Sequence, residues 1–428
     1  MKKDMNDQCT MIDLFAGCGG LSLGFEMAGF TPLLFSEINL NAAQTFMINR
    51  KKYDVIPIGD IYSLTNNNLK LLVENWKIKG IDDIDLVCGG PPCQGYSGIG
   101  HRRTFKLEKQ DIPSNQLFQE MVRIVKFIRP KVFLFENVKG LLFGKWTKNG
   151  NKGEIFQDVL DAFRGIEGYY CEWDLIHAKN YGVPQNRPRV LIIGYRTDVW
   201  QKYKQPELNF IKEEPSPYAS GGNAVTKGFL PLGEANAPSL REVLGDLVDS
   251  RYKEFGATKK YPSEPKSEIQ KWLRTNLDGT IAKKGDPITE QEYSSHSDKI
   301  EEKFSYMINS GGVIPEHMKT KKFAQRVFPA AWDDDGPCIT ATSLPDDFVH
   351  YCQPRIPTVR EWARIQTFPD WYQFFGPRTT GGRRRAGDPE AGLWEREVPK
   401  YTQIGNAVPV LLANRVALHI KKILDSNK

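Results

Sequence analysis

Cys93 is the residue at which chemistry is easiest to imagine. An apolar run over 84–87 breaks into Gly89-Gly90-Pro91-Pro92-Cys93, with Gln94 and Ser97 just behind it. Glycines let a backbone approach a ligand and prolines stiffen the loop, so one side chain can be held at a fixed height. A thiolate is the strongest nucleophile among ordinary side chains. The same stretch can equally be a turn around an inert thiol, because free cysteine is most often buried and silent. A second candidate is Glu136, which follows the apolar run Val132-Phe133-Leu134-Phe135 directly. An acid in that position stands at the carboxyl edge of a sheet, where ligands bind in open α/β folds. Arg187 and Arg189, two apart and flanked by Pro184 and Pro188, suit a rigid loop that clamps phosphate or a base edge. They also suit an ordinary basic turn.

The elements that must position these residues read as a doubly wound α/β domain. Met11 to Phe15 is a short buried strand leading into Ala16-Gly17-Cys18-Gly19-Gly20-Leu21 and then a helical pattern stopped by Gly29. Strand, glycine turn and helix form the nucleotide-binding opening of such sheets. Ser22 stands where the third glycine of the dinucleotide fingerprint belongs, which argues for a nucleoside without a pyrophosphate. Glu37 ends the next strand, 20 residues after Gly17, at the spacing where an acid takes ribose hydroxyls. Asp60 follows a third strand and can accept from an exocyclic amine while Ile61 covers a base. Each acid singly is as well explained as a solvated surface carboxylate; both at successive strand ends strengthen the joint case.

Further along, Leu117 to Ile128 is a helix ended by Pro130, and the stretches 175–178 and 190–193 are two later strands, expected antiparallel. From Pro206 prolines and glycines mark a linker, and hydrophobic periodicity fades until about residue 340. Thr358 to Pro369 is a helix with Thr358 as its cap. Arg378 to Arg385 is a basic loop, with Arg383 and Arg384 as candidate phosphate contacts. Gln403-Ile404-Gly405-Asn406-Ala407-Val408-Pro409 opens a long helix to about Leu424.

Composition bounds the rest. The chain has 428 residues, 40% hydrophobic, with a formal charge of +6 that permits nucleic-acid binding without demanding it. No window approaches the ~18 consecutive apolar residues of a membrane span, and the polar start lacks a signal-peptide core. Seven cysteines without a CxxC pair indicate neither a disulfide framework nor a zinc site, so a cytoplasmic, metal-free protein is expected. A zinc deaminase is excluded because Pro92-Cys93 is followed by Gln94-Gly95-Tyr96, with no second cysteine.

In this order the pieces resemble the C5-cytosine DNA methyltransferases, most closely the bacterial modification enzymes. The resemblance is carried by Asp13-Leu14-Phe15-Ala16-Gly17-Cys18-Gly19-Gly20, Gly90-Pro91-Pro92-Cys93-Gln94, Glu136-Asn137-Val138, Gln185-Asn186-Arg187-Pro188-Arg189, Arg360 to Gln366, and Gln403 to Val408. It implies a Rossmann-like S-adenosylmethionine-dependent domain over 1–200, a smaller loop-rich target-recognition domain over 201–350, and a C-terminal part, 351–428, that returns to the first. Phe15, Ala16, Gly17, Gly19 and Leu21 would line the cofactor, Glu37 and Ile38 its ribose side, and Asp60 with Ile61 the adenine. Pro92 and Leu117 would add walls, and Asn406 with Ala407 would close the pocket. Cys93 would be the nucleophile, Glu136 the acid at the base, and Arg187 and Arg189 catalytic cations. Gln94, Ser97, Arg102 and Arg103 would meet a flipped-out cytosine and its phosphates. Duplex DNA is the implied partner of a monomer, and a cognate restriction nuclease or defence protein a further one. RNA-directed relatives tend to carry a compact target region and a Cys-Phe-Thr signature, both absent here. A catalytically silent DNA-binding copy would have no physical need of a nucleophile opposite an acid.

Overall fold

The computed structural model describes residues 9–92, 113–203, 222–319, 325–329, 337–339, 347–379 and 397–426. Seven strands form one sheet: β1 (Cys9–Leu14), β2 (Phe30–Ser36), β3 (Ile56–Ile58), β4 (Leu86–Gly89), β5 (Val132–Val138), β6 (Tyr169–His177) and β7 (Pro188–Arg196). Their spatial order is β3-β2-β1-β4-β5-β7-β6. The first five run parallel, and β7 lies antiparallel to both neighbours. All six residues of β1 and all four of β4 are buried, as expected of parallel strands covered on both faces.

The order reverses between β1 and β4, which opens a crevice beyond their carboxyl ends. Register then decides which residues meet there. Leu14 is opposite Gly89, and Gly89 is opposite Phe135. The next residues along the three strands, Phe15, Gly90 and Glu136, therefore share one edge although they are far apart in sequence.

Alternate residues of the strands feed two cores. Ile12, Leu14, Val87, Phe133 and Phe135 pack with α3 (Asn66–Ile78), α4 (Phe118–Ile128) and α5 (Glu154–Arg164). Met11, Leu86, Cys88, Val132 and Leu134 pack with α1 (Gly20–Met27) and the C-terminal helix, Val410–Asp425. Burying one such side chain contributes about 1.5–3 kcal/mol, so the C-terminal helix is held by a row of them: Leu412, Ala413, Val416, Ile420 and Ile423. Two glycines in α1 let it come close. A Cβ on Gly24 would stand 2.4 Å from Ala413 Cβ, and one on Gly20 would stand 2.5 Å from Val408 O. Both ends of the chain thus build one sheet domain.

The C-terminal segment departs from the single helix expected. A short helix, Lys400–Asn406, stops at Ala407, and the long helix restarts at Val410 with Pro409 as its N-cap. Pro409 has no N–H to donate and drives Val408 out of helical conformation, so the break falls between them. A third core joins Leu240, Val243, Leu244 and Leu273 to Phe348, Trp362, Ile365, Phe368, Tyr401 and Ile404, with Cys18 and Leu23 from the first glycine turn and α1.

Candidate active site

The turn after β1 is built to stay open. Phe15 has φ 60, a conformation that non-glycine residues adopt at a cost. Its N–H donates to Ser36 Oγ at 3.1 Å and that of Ala16 to Ser36 O at 2.9 Å, which hold it there. Gly17 has φ 57, and a Cβ added to it would meet nothing within 4 Å. Glu37, at the end of β2, takes the Gly17 N–H on Oε2 at 2.9 Å and the Asn39 N–H on Oε1 at 2.7 Å. Burial pushes the Glu37 carboxyl up from its ordinary range, and these two amides draw it back. The carboxylate oxygens keep further lone pairs for hydroxyl donors. Ile38 beside it is 75% exposed and Leu40 is exposed as well, leaving an apolar surface next to the Glu37 carboxyl. Asp60 is exposed and caps a short 3-10 turn, accepting from Tyr62 N at 3.0 Å, while Ile61 is buried beneath it. Leu117 is half-buried before α4, and Leu21 lies in the core rather than in the crevice.

The β4 loop passes directly against β5. A Cβ on Gly89 would stand 2.7 Å from Leu14 O, and one on Gly90 would stand 2.8 Å from Glu136 Oε2. Only glycine at 90 therefore leaves the Glu136 carboxyl where it is. Asn137 Nδ2 donates to Pro91 O at 3.1 Å and fixes the loop two residues before Cys93. Cys93, Gln94, Ser97, Arg102 and Arg103 themselves lie outside the described residues, as do Arg383 and Arg384.

Glu136 meets its cation across the sheet. It is opposite Leu191 in the β5–β7 pair, so Arg189 is its diagonal neighbour on the same face. Arg189 Nε stands 2.5 Å from Glu136 Oε1, with the two side chains 8% and 12% exposed. The contact is an ion pair rather than an aligned hydrogen bond.

Arg187 is buried and does a different job. It donates to Ile339 O, to Gly405 O at 2.6 Å and to Ala407 O at 3.3 Å. Burial first, then the charge of Arg189, pushes its guanidinium down to about 9. Its donors grip the two carbonyls that flank Asn406. Gln366 grips the same segment, donating from Nε2 to Ile404 O at 2.8 Å and Ala407 O at 2.7 Å. Gln185 in turn donates to Gln366 Oε1 at 2.5 Å and to Ile365 O at 3.0 Å. Asn406 is exposed at the end of its helix, and Ala407 Cβ lies beside Gly20 of the first turn.

The charges of the 359–366 stretch point inward. Thr358 and Glu361 form a capping box, as the sequence suggests for Thr358. Glu361 takes a bidentate pair from Arg355 at 2.8 and 2.6 Å, and that charge holds its carboxyl down at about 2 against the opposing burial. Arg364 pairs with Asp246 and Asp370, each at 2.6 Å, and Arg274 shares Asp246. These side chains tie the 240–274 region to the strand-edge machinery. Of these pairs Arg364–Asp246 spans 118 residues and is not legible from spacing, whereas Arg364–Asp370 and Glu361–Arg355 are each six apart.

Residues 9–422 match the family of C-5 cytosine-specific DNA methylases. The chain belongs to that family. It is a cytosine DNA methyltransferase, as the sequence motifs imply. The chain is 34% identical over 430 residues to the type II methyltransferase M.DdeI of Desulfomicrobium norvegicum, covering 96% of this chain and 88% of that one. It is 30% identical to the type II methyltransferase M1.HphI of Haemophilus parahaemolyticus, covering 97% and 87%. Among solved structures, a prophage-encoded DNA modification methyltransferase from E. coli superposes with a TM-score of 0.64 at 23% identity, covering 97% and 99%. The Entamoeba histolytica methyltransferase EhMeth does so with a TM-score of 0.52 at 15% identity, covering 97% and 98%. These last two speak to the fold, which is that of DNA methyltransferases. Among the described residues no helix of this methyltransferase is long and apolar enough to cross a membrane.

Proposed function

We propose that this methyltransferase transfers a methyl group from S-adenosylmethionine to C5 of a flipped-out cytosine in a specific duplex sequence, through a covalent bond from Cys93 to C6. The observation that carries the reading is the approach of Gly90 to Glu136 Oε2, on the same edge as the open Gly17 turn. Nucleophile loop, acid and cofactor turn are neighbours by strand register. The turn fits the cofactor: an unfilled position at Gly17, the Glu37 carboxylate on its backbone, and apolar Ile38 next to that carboxylate.

S-adenosylmethionine would supply an electrophilic methyl group on a sulfonium. Everything else falls to the chain and the base. Cytosine C5 is a poor nucleophile, and addition of the Cys93 thiolate to C6 turns the ring into an enamine. Electron density then moves toward N3. A proton shared between the Glu136 carboxyl and N3 relieves it, while Arg189 holds that carboxyl at one edge of the base. C5 would take that methyl group, leaving S-adenosylhomocysteine as the neutral thioether; water would then accept the C5 proton as the Cys93–C6 bond breaks, which returns the electron pair to the thiolate and restores the aromatic ring. Glu37, Asp60, Ile61, Asn406 and Ala407 hold the donor, with Arg187 acting through the carbonyls on either side of Asn406. Gln94, Ser97, Arg102 and Arg103 receive the flipped base and its phosphates, and Arg383 with Arg384 add phosphate contacts. The target-recognition domain spans about 201–350 between the two parts of the catalytic domain.

The printed names of the relatives, type II methyltransferases, support a place in a restriction-modification system; a cognate nuclease is the further partner this reading implies. Bisulfite sequencing of DNA from cells expressing the protein tests the reading. Protected cytosines at one short recurring sequence are expected; protection of tRNA cytosines without protection of DNA would overturn it.

A further inference from the structure

Arg50 is buried beneath the cofactor turn and makes four directed contacts. Its Nε bonds Glu26 Oε1 at 2.6 Å, Nη1 donates to Phe46 O and Tyr372 Oη at 3.0 Å each, and Nη2 donates to Gly19 O at 2.9 Å. The guanidinium carbon also sits 3.7 Å from the centre of the Phe46 ring. Tyr372, having accepted from Arg50, donates to Cys18 O at 2.5 Å. Two consecutive carbonyls of the glycine turn, Cys18 and Gly19, are thereby each held by one side chain. One comes from beyond the helix Leu40–Ile48, the other from the segment that follows Arg364.

The clamp reaches the cofactor face through one peptide plane. Cys18 O is taken by Tyr372, and the N–H at the other end of that plane, Gly19 N, donates to Ala16 O at 2.9 Å. Ala16 is followed by Gly17, whose N–H goes to Glu37. Gly19 must be glycine for the clamp to exist. Its φ is +85, and a Cβ there would lie 2.6 Å from Arg50 Nη1. A neighbouring seam draws the same two chain segments together: Asn49 Nδ2 donates to Gln373 O, and Gln373 N donates to Asn49 Oδ1. Glu26 and Tyr372 accept from an arginine that burial alone would disfavour.

We propose that Arg50 and Tyr372 are positioning residues that set the affinity for S-adenosylmethionine without touching it, by fixing the Cys18 and Gly19 carbonyls. The inference rests on the cofactor reading above. Neither residue belongs to the stretches that carry the family resemblance.

Calorimetric titration with S-adenosylhomocysteine tests it, alongside the Kd for duplex DNA and kcat at saturating S-adenosylmethionine. Tyr372→Phe keeps the ring and removes only the hydroxyl. It and Arg50→Met are expected to raise the S-adenosylhomocysteine Kd about tenfold, the equivalent of one hydrogen bond to a charged or buried partner. The DNA Kd stays unchanged and kcat stays within about twofold. Arg50→Lys keeps the charge beside Glu26 but not the fork, so its Kd falls between wild type and Arg50→Met. If Arg50→Met does not fold, Tyr372→Phe decides alone. An unchanged Kd in folded Tyr372→Phe overturns the proposal, as does a parallel loss of cofactor and DNA affinity. Wild-type protein that fails to bind S-adenosylhomocysteine overturns the cofactor reading and this inference with it.

Discussion

Arg189 and Glu136 face each other diagonally across the β5–β7 pair, with 2.5 Å between Nε and Oε1. The arginine holds the carboxyl beside Gly90, at the edge where the loop after β4 begins. A glutamine at 136 keeps a carbonyl and an N–H for the base but has no proton to share. Glu136→Gln is therefore expected to bind duplex DNA and cofactor normally and to lose about 10²–10⁴ in kcat. Single-turnover methylation at saturating substrates checks this; a loss below threefold would remove Glu136 from proton transfer.

Glu37 accepts two backbone N–H groups, one on each oxygen. Glu37→Gln must turn an NH₂ toward one of them and leaves two donors face to face, which costs about 1–3 kcal/mol. The expected result is a KM for S-adenosylmethionine raised about tenfold or more with kcat nearly kept. Initial rates at saturating DNA measure both. A fall in kcat at unchanged KM would place Glu37 elsewhere in the cycle.

Asp246 carries two arginines in the fully buried network, Arg364 and Arg274. Removing it leaves Arg274 without its carboxylate and Arg364 with Asp370 only. Asp246→Ala is expected to lose about 3–5 kcal/mol of stability in guanidinium denaturation. A loss below 1 kcal/mol would mean that Asp370 alone suffices for Arg364.

Asp13 sits at the end of β1, accepting from Ser22 Oγ at 2.5 Å, and burial raises its carboxyl from 3.8 to about 7. A raised folded value makes the neutral acid the stabilised form. Its contribution is complete below about pH 4 and declines as pH rises to about 7, by at most about 4 kcal/mol across that window. Asp13→Asn carries no such titration. The variant should gain on wild type between pH 5 and 7.5 in thermal unfolding; parallel curves would refute the assignment.

β1, β4 and the start of β5 were legible because they are buried on both faces and read as continuous apolar runs, as Val132 to Phe135 does, whereas the edge strand β3 is only partly buried. β6 was only half legible. It begins at Tyr169 rather than Leu175, because its sheet-edge position leaves Tyr170 exposed and dilutes the apolar signal. Glu37 directly follows β2 and Asp60 stands two residues beyond β3, as their strand-end reading requires; Glu136, expected just past its strand, lies within β5, which runs on to Val138 because it stays paired with β7. The clamp of Arg50 and Tyr372 was not legible, because the Arg50–Tyr372 and Tyr372–Cys18 contacts join residues more than 300 apart in the chain. The resemblance implies a catalytic cation at Arg187, and the fold adds that its Nη donors go to Ile339, Gly405 and Ala407. Spacing shows that two arginines are close; only the fold shows that one faces the carboxylate and the other the C-terminal carbonyls.

Covalent capture tests the central claim most directly. Duplex DNA carrying 5-fluorocytosine at the target position, incubated with the enzyme and S-adenosylmethionine, cannot lose a proton from C5 after methyl transfer. Wild-type enzyme is expected to form a complex that survives denaturing electrophoresis, with the peptide containing Cys93 attached to the base. Cys93→Ala is expected to bind the same duplex and form none. A covalent complex in Cys93→Ala, or normal methylation of cytosine by that variant, would contradict the account.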